Sequence, residues 1–132
     1  MIMENNIYSF LKSRDFKLTD KDVSPYFGDY YDTFKNNVVE LRFSSSRSLA
    51  TVDICCIEET NNWYDLALVK ALLYNEQELN KITTLEEYVF FLEQEIDFIN
   101  ELFNKDNYSN TKNKLEELRN KRAKQMFPGK VK

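Results

Sequence analysis

The sequence predicts an α+β protein, in which a small, mainly antiparallel sheet with a central hairpin packs against an N-terminal helix and two or three C-terminal helices. Two patterns predict this class: apolar residues alternate with polar ones in the middle of the chain, and they recur at helical spacing on both sides of it. No repeat or linker divides the 132 residues. We therefore expect one domain over residues 1–132, with a sheet-rich part at about 15–58 and a helical part at about 62–127.

The first predicted element is a short amphipathic helix over residues 3–13. Ile7, Phe10 and Leu11 lie at helical spacing in this segment. Residues 16–37 then mix aromatic side chains with proline, glycine and asparagine. This composition predicts irregular chain that holds one or two short strands.

The clearest strand signal is a hairpin over residues 38–57. In its first strand every second residue is apolar, namely Val39, Leu41 and Phe43. A polar turn around Ser45, Ser46 and Arg47 leads to a returning strand. The buried face of that strand would carry Ala50, Val52, Ile54 and Cys56.

The only two cysteines, Cys55 and Cys56, are adjacent in the returning strand. Their spacing gives neither a zinc knuckle nor a redox CxxC pair. Because neighbouring side chains of a strand point to opposite faces, we expect both thiols to stay reduced as small packing groups. A strained vicinal disulfide is the alternative.

Two of the three helices predicted in the C-terminal half flank the longest one. Asn62, followed three residues later by Asp65, resembles an N-cap, and the helix after it is predicted to stop near Asn75. The terminal helix is predicted from Thr111 to about Met126, with a narrow apolar stripe among lysines and arginines. The proline and glycine at 128 and 129 would end it.

The longest helix is predicted from a capping box. Thr83 or Thr84 would cap it, and Glu86 or Glu87 would complete the box. The helical pattern that follows runs to about Phe103.

This long helix has a broad apolar side. Beside its core stripe lies a second apolar strip, which consists of Phe91, Phe98 and Leu102. The two together span about 180°, so we expect the terminal helix to cover the second strip, with a surface for a partner or a second copy as the alternative. Glu95 projects into the same side, where an unpaired carboxylate is costly, and we expect Arg119 or Arg122 to pair with it.

Acidic residues form a separate row on the long helix. This acidic ridge consists of Glu86, Glu93, Asp97 and Glu101, with Phe90 beside it. One interpretation is a solvated helix face; the other is an electrostatic surface that attracts a basic protein partner. Exposed aromatic residues such as Tyr30, Tyr31 or Phe90 would then supply contacts that slow dissociation.

Composition and pattern both argue against catalysis. The chain has no histidine, so no imidazole can serve as a general base or a metal ligand. Its two glycines are too few for a phosphate-binding loop or a dinucleotide-binding turn. The ridge carboxylates lie along one helix instead of converging from several segments, as a glycosidase pair or a metal site requires. We expect no enzymatic activity, no cofactor and no metal.

Charge is distributed unevenly along the chain. Residues 1–111 carry 20 acidic and 10 basic residues, whereas residues 112–132 carry 2 acidic and 8 basic ones. We expect the basic terminal helix to pack within its own domain, and an acidic partner is the alternative. A further alternative is a nucleic-acid-associated protein that uses this helix. The net negative charge of residues 1–111 would repel phosphates and argues against it.

The sequence also predicts the cellular compartment of the protein. No run of about 18 apolar residues is present, and the first ten residues carry acid and amide where a signal peptide has a basic segment. We therefore expect a cytoplasmic protein without a membrane partner.

Residues 38–74 resemble small bacterial immunity-type proteins of polymorphic toxin systems. In those proteins a hairpin with an arginine at its turn leads into a helix that starts aromatic-Asp-Leu; here Arg47 is followed by Trp63, Tyr64, Asp65 and Leu66. The resemblance implies an α+β protein that neutralises a cognate toxin by masking its active site. On this reading the acidic ridge binds a basic toxin domain. The alternative is a homo-oligomeric structural or regulatory protein that self-associates through the second apolar strip, so a monomer and a homodimer both remain open.

Overall fold

The computed structural model describes residues 4–23, 30–46 and 49–127, and it has the predicted α+β class. The strands are β1 (Lys17–Val23), β2 (Tyr30–Lys35), β3 (Val39–Ser46), β4 (Leu49–Cys56) and β5 (Tyr64–Asp65). The helices are α1 (Glu4–Ser13), α2 (Leu66–Tyr74), α3 (Leu85–Leu102) and α4 (Tyr108–Met126). None of the helices in these ranges combines the length and the apolar composition that a bilayer span needs.

The five strands form one antiparallel sheet in the order β1-β2-β3-β4-β5. The predicted hairpin is present as β3 and β4, with Leu41 opposite Ile54 and Phe43 opposite Val52. Ser45 and Ser46, which were expected in its turn, belong to β3 and lie opposite Ala50 and Leu49, and Arg47 lies outside the described residues. The one or two short strands expected before the hairpin are β1 and β2.

One face of the sheet carries the core. The alternating apolar residues of β3 and β4 are buried there, as the hairpin pattern predicted, except Ala50, which is only partly buried. The buried ones share one cluster with residues from α1, α2, α3 and α4. Ile7 and Leu11 reach this cluster from α1, and Leu92, Ile96 and Ile99 reach it from α3. Burial of this alternating set explains the register, because a shift by one residue would turn every apolar side chain to the opposite face.

The cysteines behave as predicted. Cys55 and Cys56 are both free and buried. The thiol of Cys56 donates a hydrogen bond to the carbonyl oxygen of Phe103, 3.4 Å away, just after α3. Burial raises the pKa of the Cys55 thiol to about 12, so this group stays protonated at neutral pH.

Helix α3 begins with the predicted capping box. The hydroxyl oxygen of Thr84 accepts a hydrogen bond from the backbone N–H of Glu87, and the Glu87 carboxylate accepts one from the backbone N–H of Thr84. The hydrogen bonds that the Thr84 backbone N–H and hydroxyl donate to the Glu87 carboxylate hold its pKa below the usual value. The box fixes the N-terminus of the helix that carries the acidic ridge.

Helix α2 begins later than predicted, and Asp65 is its N-cap instead of Asn62. The carboxylate of Asp65 accepts a hydrogen bond from the backbone N–H of Ala67 over 2.9 Å. The helix cannot start earlier because Tyr64 and Asp65 pair with β4 as the fifth strand. Its predicted end is confirmed, since Asn75 adopts the left-handed conformation that commonly closes a helix.

Helix α4 begins at Tyr108, three residues before its predicted start at Thr111. The side-chain oxygen of Asn104 accepts hydrogen bonds from the backbone N–H groups of Asp106 and Asn107, which folds the connection into a tight turn and leads directly into the helix. The predicted end near Met126 is confirmed, and the residues at 128 and 129 lie outside the described part. Helix α4 lies mainly beside α2.

Candidate functional site

The acidic ridge lies on the solvent side of α3. Glu86, Glu93, Asp97 and Glu101 are all exposed. At 100° per residue, Asp97 and Glu101 lie within about 20° of Phe90, so the aromatic ring projects from the same face as the carboxylates. The α3 face, as we call it, consists of these four acids together with Phe90 and Phe98.

Two large aromatic side chains on this face are open to solvent. Phe90 is 63% exposed and Phe98 is 50% exposed. They are eight residues apart, which corresponds to about 12 Å along the helix axis. They are also about 80° apart around the helix, so they offer two separate apolar contacts on the solvent side of α3. Isolated exposed apolar residues are ordinary, but two large aromatic ones beside a row of acids suit a surface that binds another protein.

One member of the ridge already has a partner within the protein. Arg14, just after α1, donates hydrogen bonds to both carboxylate oxygens of Asp97 over 3.1 and 3.2 Å. The same guanidinium lies 5.5 Å from the centre of the Phe10 ring. Asp97 therefore joins α3 to α1.

The remaining ridge acids have no such contact. Glu86, Glu93 and Glu101 form no ion pair with any residue in the described ranges. Their carboxylates are the part of the ridge that is available to a partner.

The second apolar strip of α3 is only partly covered. Phe91 is 1% exposed, and its ring makes an edge-to-face contact with Tyr74 at the end of α2. Leu102 is half-buried, and its carbonyl oxygen accepts a hydrogen bond from the Thr111 hydroxyl of α4. The cover expected from α4 alone thus comes from both α2 and α4, and Phe98 stays open.

The prediction that Arg119 or Arg122 pairs with Glu95 is wrong. Its carboxylate accepts a hydrogen bond from the hydroxyl of Tyr74 over 2.8 Å, and neither Arg119 nor Arg122 reaches it. The physical reason is the position of α4, which packs beside α2. That placement brings the arginines to the edge of the sheet, where Arg119 donates to the carbonyl oxygen of Trp63.

The basic residues of α4 are partly neutralised inside the protein, as expected for intramolecular packing. Arg122 pairs with Asp65 over 2.8 Å, and Lys112 pairs with Glu59 over 2.7 Å. Arg119 lies over the ring of Tyr64, 4.3 Å from its centre. These three cations are consequently less available to phosphates than the sequence suggested.

Glu59 is the most strongly perturbed carboxyl group in the described ranges. Lys112, Tyr108 and Asn62 all donate hydrogen bonds to it, and they hold its pKa at about 2, below the ordinary value of 4.5. The pKa of the Tyr108 hydroxyl is raised instead, because the group is buried and lies beside the Glu59 carboxylate. This cluster ties the connection after β4 to the start of α4, and it is structural in character.

The two tyrosines proposed as contact residues belong to β2. The backbone of Tyr30 lies opposite Ser45, and that of Tyr31 lies opposite Ser44. Their side chains lie outside the described part of the structure. They remain predicted contacts.

Metal-binding geometry is not found in the described ranges. No group of three or more cysteine, aspartate or glutamate side chains there could hold a metal ion. The row of carboxylates on α3 spreads along the helix axis and does not converge.

The sequence patterns did not indicate a cavity of about 170 Å³ beside β4. It lies between Leu49–Thr51, the connection 79–83 and the end of α4. The one local signal was Ile82, an isolated apolar residue in a polar connection.

Comparison of the chain with protein-family models, with curated proteins and with solved structures finds no match. The candidate site is therefore defined by its geometry and its charge.

Proposed function

We propose that this chain is a non-catalytic binding protein of the bacterial immunity type. It acts in the cytoplasm, binds a basic toxin domain through the α3 face and masks the active site of that toxin. The observation that carries the proposal is the exposure of Phe90 beside the unpaired carboxylates of α3, with Phe98 exposed about 80° further around the same helix. The resemblance of residues 38–74 to immunity-type proteins agrees with it.

Charge and apolar area have separate roles in this interaction. Glu86, Glu93 and Glu101 create a negative field that accelerates encounter with a basic partner. Phe90 and Phe98 bury apolar area once the complex has formed, and buried aromatic anchors mainly slow dissociation. Tyr30 and Tyr31 of β2 are proposed as additional contacts.

The rigidity of the α3 face also supports this role. The capping box of Thr84 and Glu87 fixes one end of the helix, and burial of Leu92, Ile96 and Ile99 holds its inner side in the core. A face that is already ordered loses little conformational entropy on binding. A rigid helix therefore suits an inhibitor that has to occupy an active site tightly.

Self-association through α3 is the weaker alternative. Phe91, the first residue of the strip proposed for it, is buried against Tyr74. A symmetric dimer through Phe98 would also bring two acidic ridges close together, and like charges oppose such an interface.

The test uses the polypeptide encoded by the gene next to this one, coexpressed in bacteria with the chain. We expect that polypeptide to be toxic alone, and we expect the chain to restore growth and to form a one-to-one complex with it. A neighbouring polypeptide that is harmless, or that still kills in the presence of the chain, contradicts the proposal.

Variants of the α3 face then test the surface itself. Glu93→Lys with Glu101→Lys is expected to lower the association rate about tenfold at low salt, with less effect at high salt. Glu58→Lys with Glu117→Lys, at exposed acids outside α3, changes the net charge equally, is the matched control and should change the rate much less. Asp97 is avoided because its reversal would also break the contact with Arg14. Equal association rates for both variants would remove the α3 face from the mechanism.

A further inference from the structure

The edge of β4 is only partly covered. Strand β4 pairs with β3 along its whole length, from Leu49 to Cys56, but it pairs with β5 only at Asp53 and Ile54. Within the described part of the chain, no strand pairs with residues 49–52 on that side. In an antiparallel sheet, alternate residues of such a stretch direct their backbone N–H and C=O groups away from the neighbouring strand. Among the described residues nothing pairs with those groups, and a further strand can use them.

An apolar cavity adjoins this open edge. Its volume is about 170 Å³, and its apolar lining includes Leu49, Leu79, Ile82 and Met126. Ile82 is 75% exposed, and Leu49 and Met126 are about half exposed, so the rim is open to solvent. An apolar cavity of about 150 Å³ holds a benzene ring, which makes this one large enough for a single large side chain.

The wall opposite β4 is fixed in place. The backbone N–H of Leu79 donates a hydrogen bond to the side-chain oxygen of Gln125 in α4 over 2.7 Å. The amide nitrogen of the same glutamine donates to the carbonyl oxygen of Gln77 over 2.8 Å. These bonds hold the connection after α2 against α4, so the cavity is formed before anything enters it.

Three charged side chains line the cavity. Asp65 and Arg122 line it as an ion pair and neutralise each other. Lys81 lines it as well, is exposed and forms no ion pair with the described residues. The lining therefore carries a net charge of about +1 and complements a carboxylate.

We propose that this groove binds an extended peptide segment of another protein, which pairs with residues 49–52 of β4, places one large apolar side chain in the cavity and sets a carboxylate beside Lys81. Backbone hydrogen bonds supply affinity in this mode of recognition, and the pocket for an alternate side chain supplies specificity. A second copy of the chain is disfavoured as the occupant, because symmetric pairing at this edge would bring two Lys81 ammonium groups together. The groove is separate from the α3 face, and its role does not depend on the function proposed above.

The test is a titration of the isotopically labelled chain, followed by the amide resonances of the protein. The probe is a pool of end-blocked pentapeptides of the form Thr-X-Thr-Glu-Thr, in which X is leucine, isoleucine, valine or phenylalanine and shares one face of the strand with the glutamate. At about 1 mM peptide we expect shifts concentrated at residues 49–52 and at Ile82. Lys81→Glu should weaken the binding about threefold, whereas Lys105→Glu, at an exposed lysine remote from the groove, should not change it.

Two altered pools decide between this mode of binding and others. A pool with N-methyl groups on alternate backbone nitrogens should lose binding, because it cannot pair with the strand edge. A pool with lysine in place of glutamate should bind more weakly than the original. Absence of shifts at residues 49–52, equal binding of either altered pool, or a concentration-dependent dimer through this edge would overturn the proposal.

Discussion

Arg122 of α4 donates a hydrogen bond to Oδ2 of Asp65 over 2.8 Å. The other oxygen of that carboxylate accepts hydrogen bonds from the hydroxyl of Tyr88 in α3 and from the backbone N–H of Ala67 in α2. One side chain at the N-terminus of α2 thus joins all three C-terminal helices. Asp65 explains why the helical half keeps its arrangement at the edge of the sheet.

Loss of the Arg122 contact should destabilise the protein. Arg122→Met keeps most of the apolar stem but removes the charged donor from Asp65, and we expect the free energy of unfolding to fall by about 1–3 kcal/mol. Urea unfolding measures this difference. Lys124→Met, at an exposed position of the same helix, is the control and should change stability by less than about 0.5 kcal/mol. Equal losses in both variants would show that the contact with Asp65 contributes nothing specific.

Replacement of two adjacent phenylalanines of α3 should change the unfolding free energy by very different amounts. Phe91→Ala removes a buried ring that contacts Tyr74, and we expect a loss of about 3–5 kcal/mol in unfolding free energy. Phe90→Ala removes an exposed ring and should cost less than about 0.5 kcal/mol. Thermal and urea unfolding of the two variants provide the comparison. A large loss for Phe90→Ala would mean that this ring belongs to the fold and is not free for a partner.

Acid should weaken the contact between the β4 connection and α4. The pKa of Glu59 is lowered to about 2, and a lowered carboxyl pKa stabilises the fold above pH 4.5. This stabilisation is lost as the pH falls from 4.5 toward 2, because the folded state must then take up the proton. A carbon-detected NMR titration of the Glu59 carboxyl measures the pKa directly.

Variants separate this effect from general acid unfolding. Glu59→Gln should lower stability at neutral pH and flatten its decline between pH 4.5 and 2 in urea unfolding. Glu58→Gln, at the exposed neighbouring residue, should preserve the decline. An unchanged decline in Glu59→Gln would contradict the assignment of the effect to this carboxyl group.

The two thiols should be inert in the native protein. Cys55 and Cys56 are buried, and burial raises the pKa of both thiols, so little of the reactive thiolate is present at pH 8. We expect no reaction with Ellman's reagent on the scale of minutes in the folded state, and two equivalents after unfolding in guanidinium. Fewer than two equivalents in the unfolded, unreduced chain would indicate a disulfide in place of free thiols.

Local sequence patterns were sufficient to predict the hairpin and α3. Val39, Leu41 and Phe43 alternate within five residues, and the capping bonds of Thr84 and Glu87 span four. Strand β5 could not be predicted in this way, because two residues have no periodicity and Tyr64 and Asp65 are extended only by pairing with β4. The same pairing moved the N-cap of α2 away from Asn62.

The candidate surface was predictable in outline but not in its pairings. Helical spacing correctly placed Phe90 on the outer face with the ridge acids. It gives the direction of a side chain and does not identify the element opposite, so Tyr74 was missed as the partner of Glu95. Arg14 was missed as the partner of Asp97 for the same reason, since 83 residues separate the two in sequence.

Each strand of the sheet pairs with the strand that precedes or follows it in the chain. Contacts between near neighbours in sequence form quickly, so the sheet can assemble early in folding. Helix α3 arrives only with the second half of the chain, although it covers the apolar face of that sheet. During synthesis the apolar face of the sheet is therefore exposed until α3 has been made. A chain terminated before α3 is expected to aggregate.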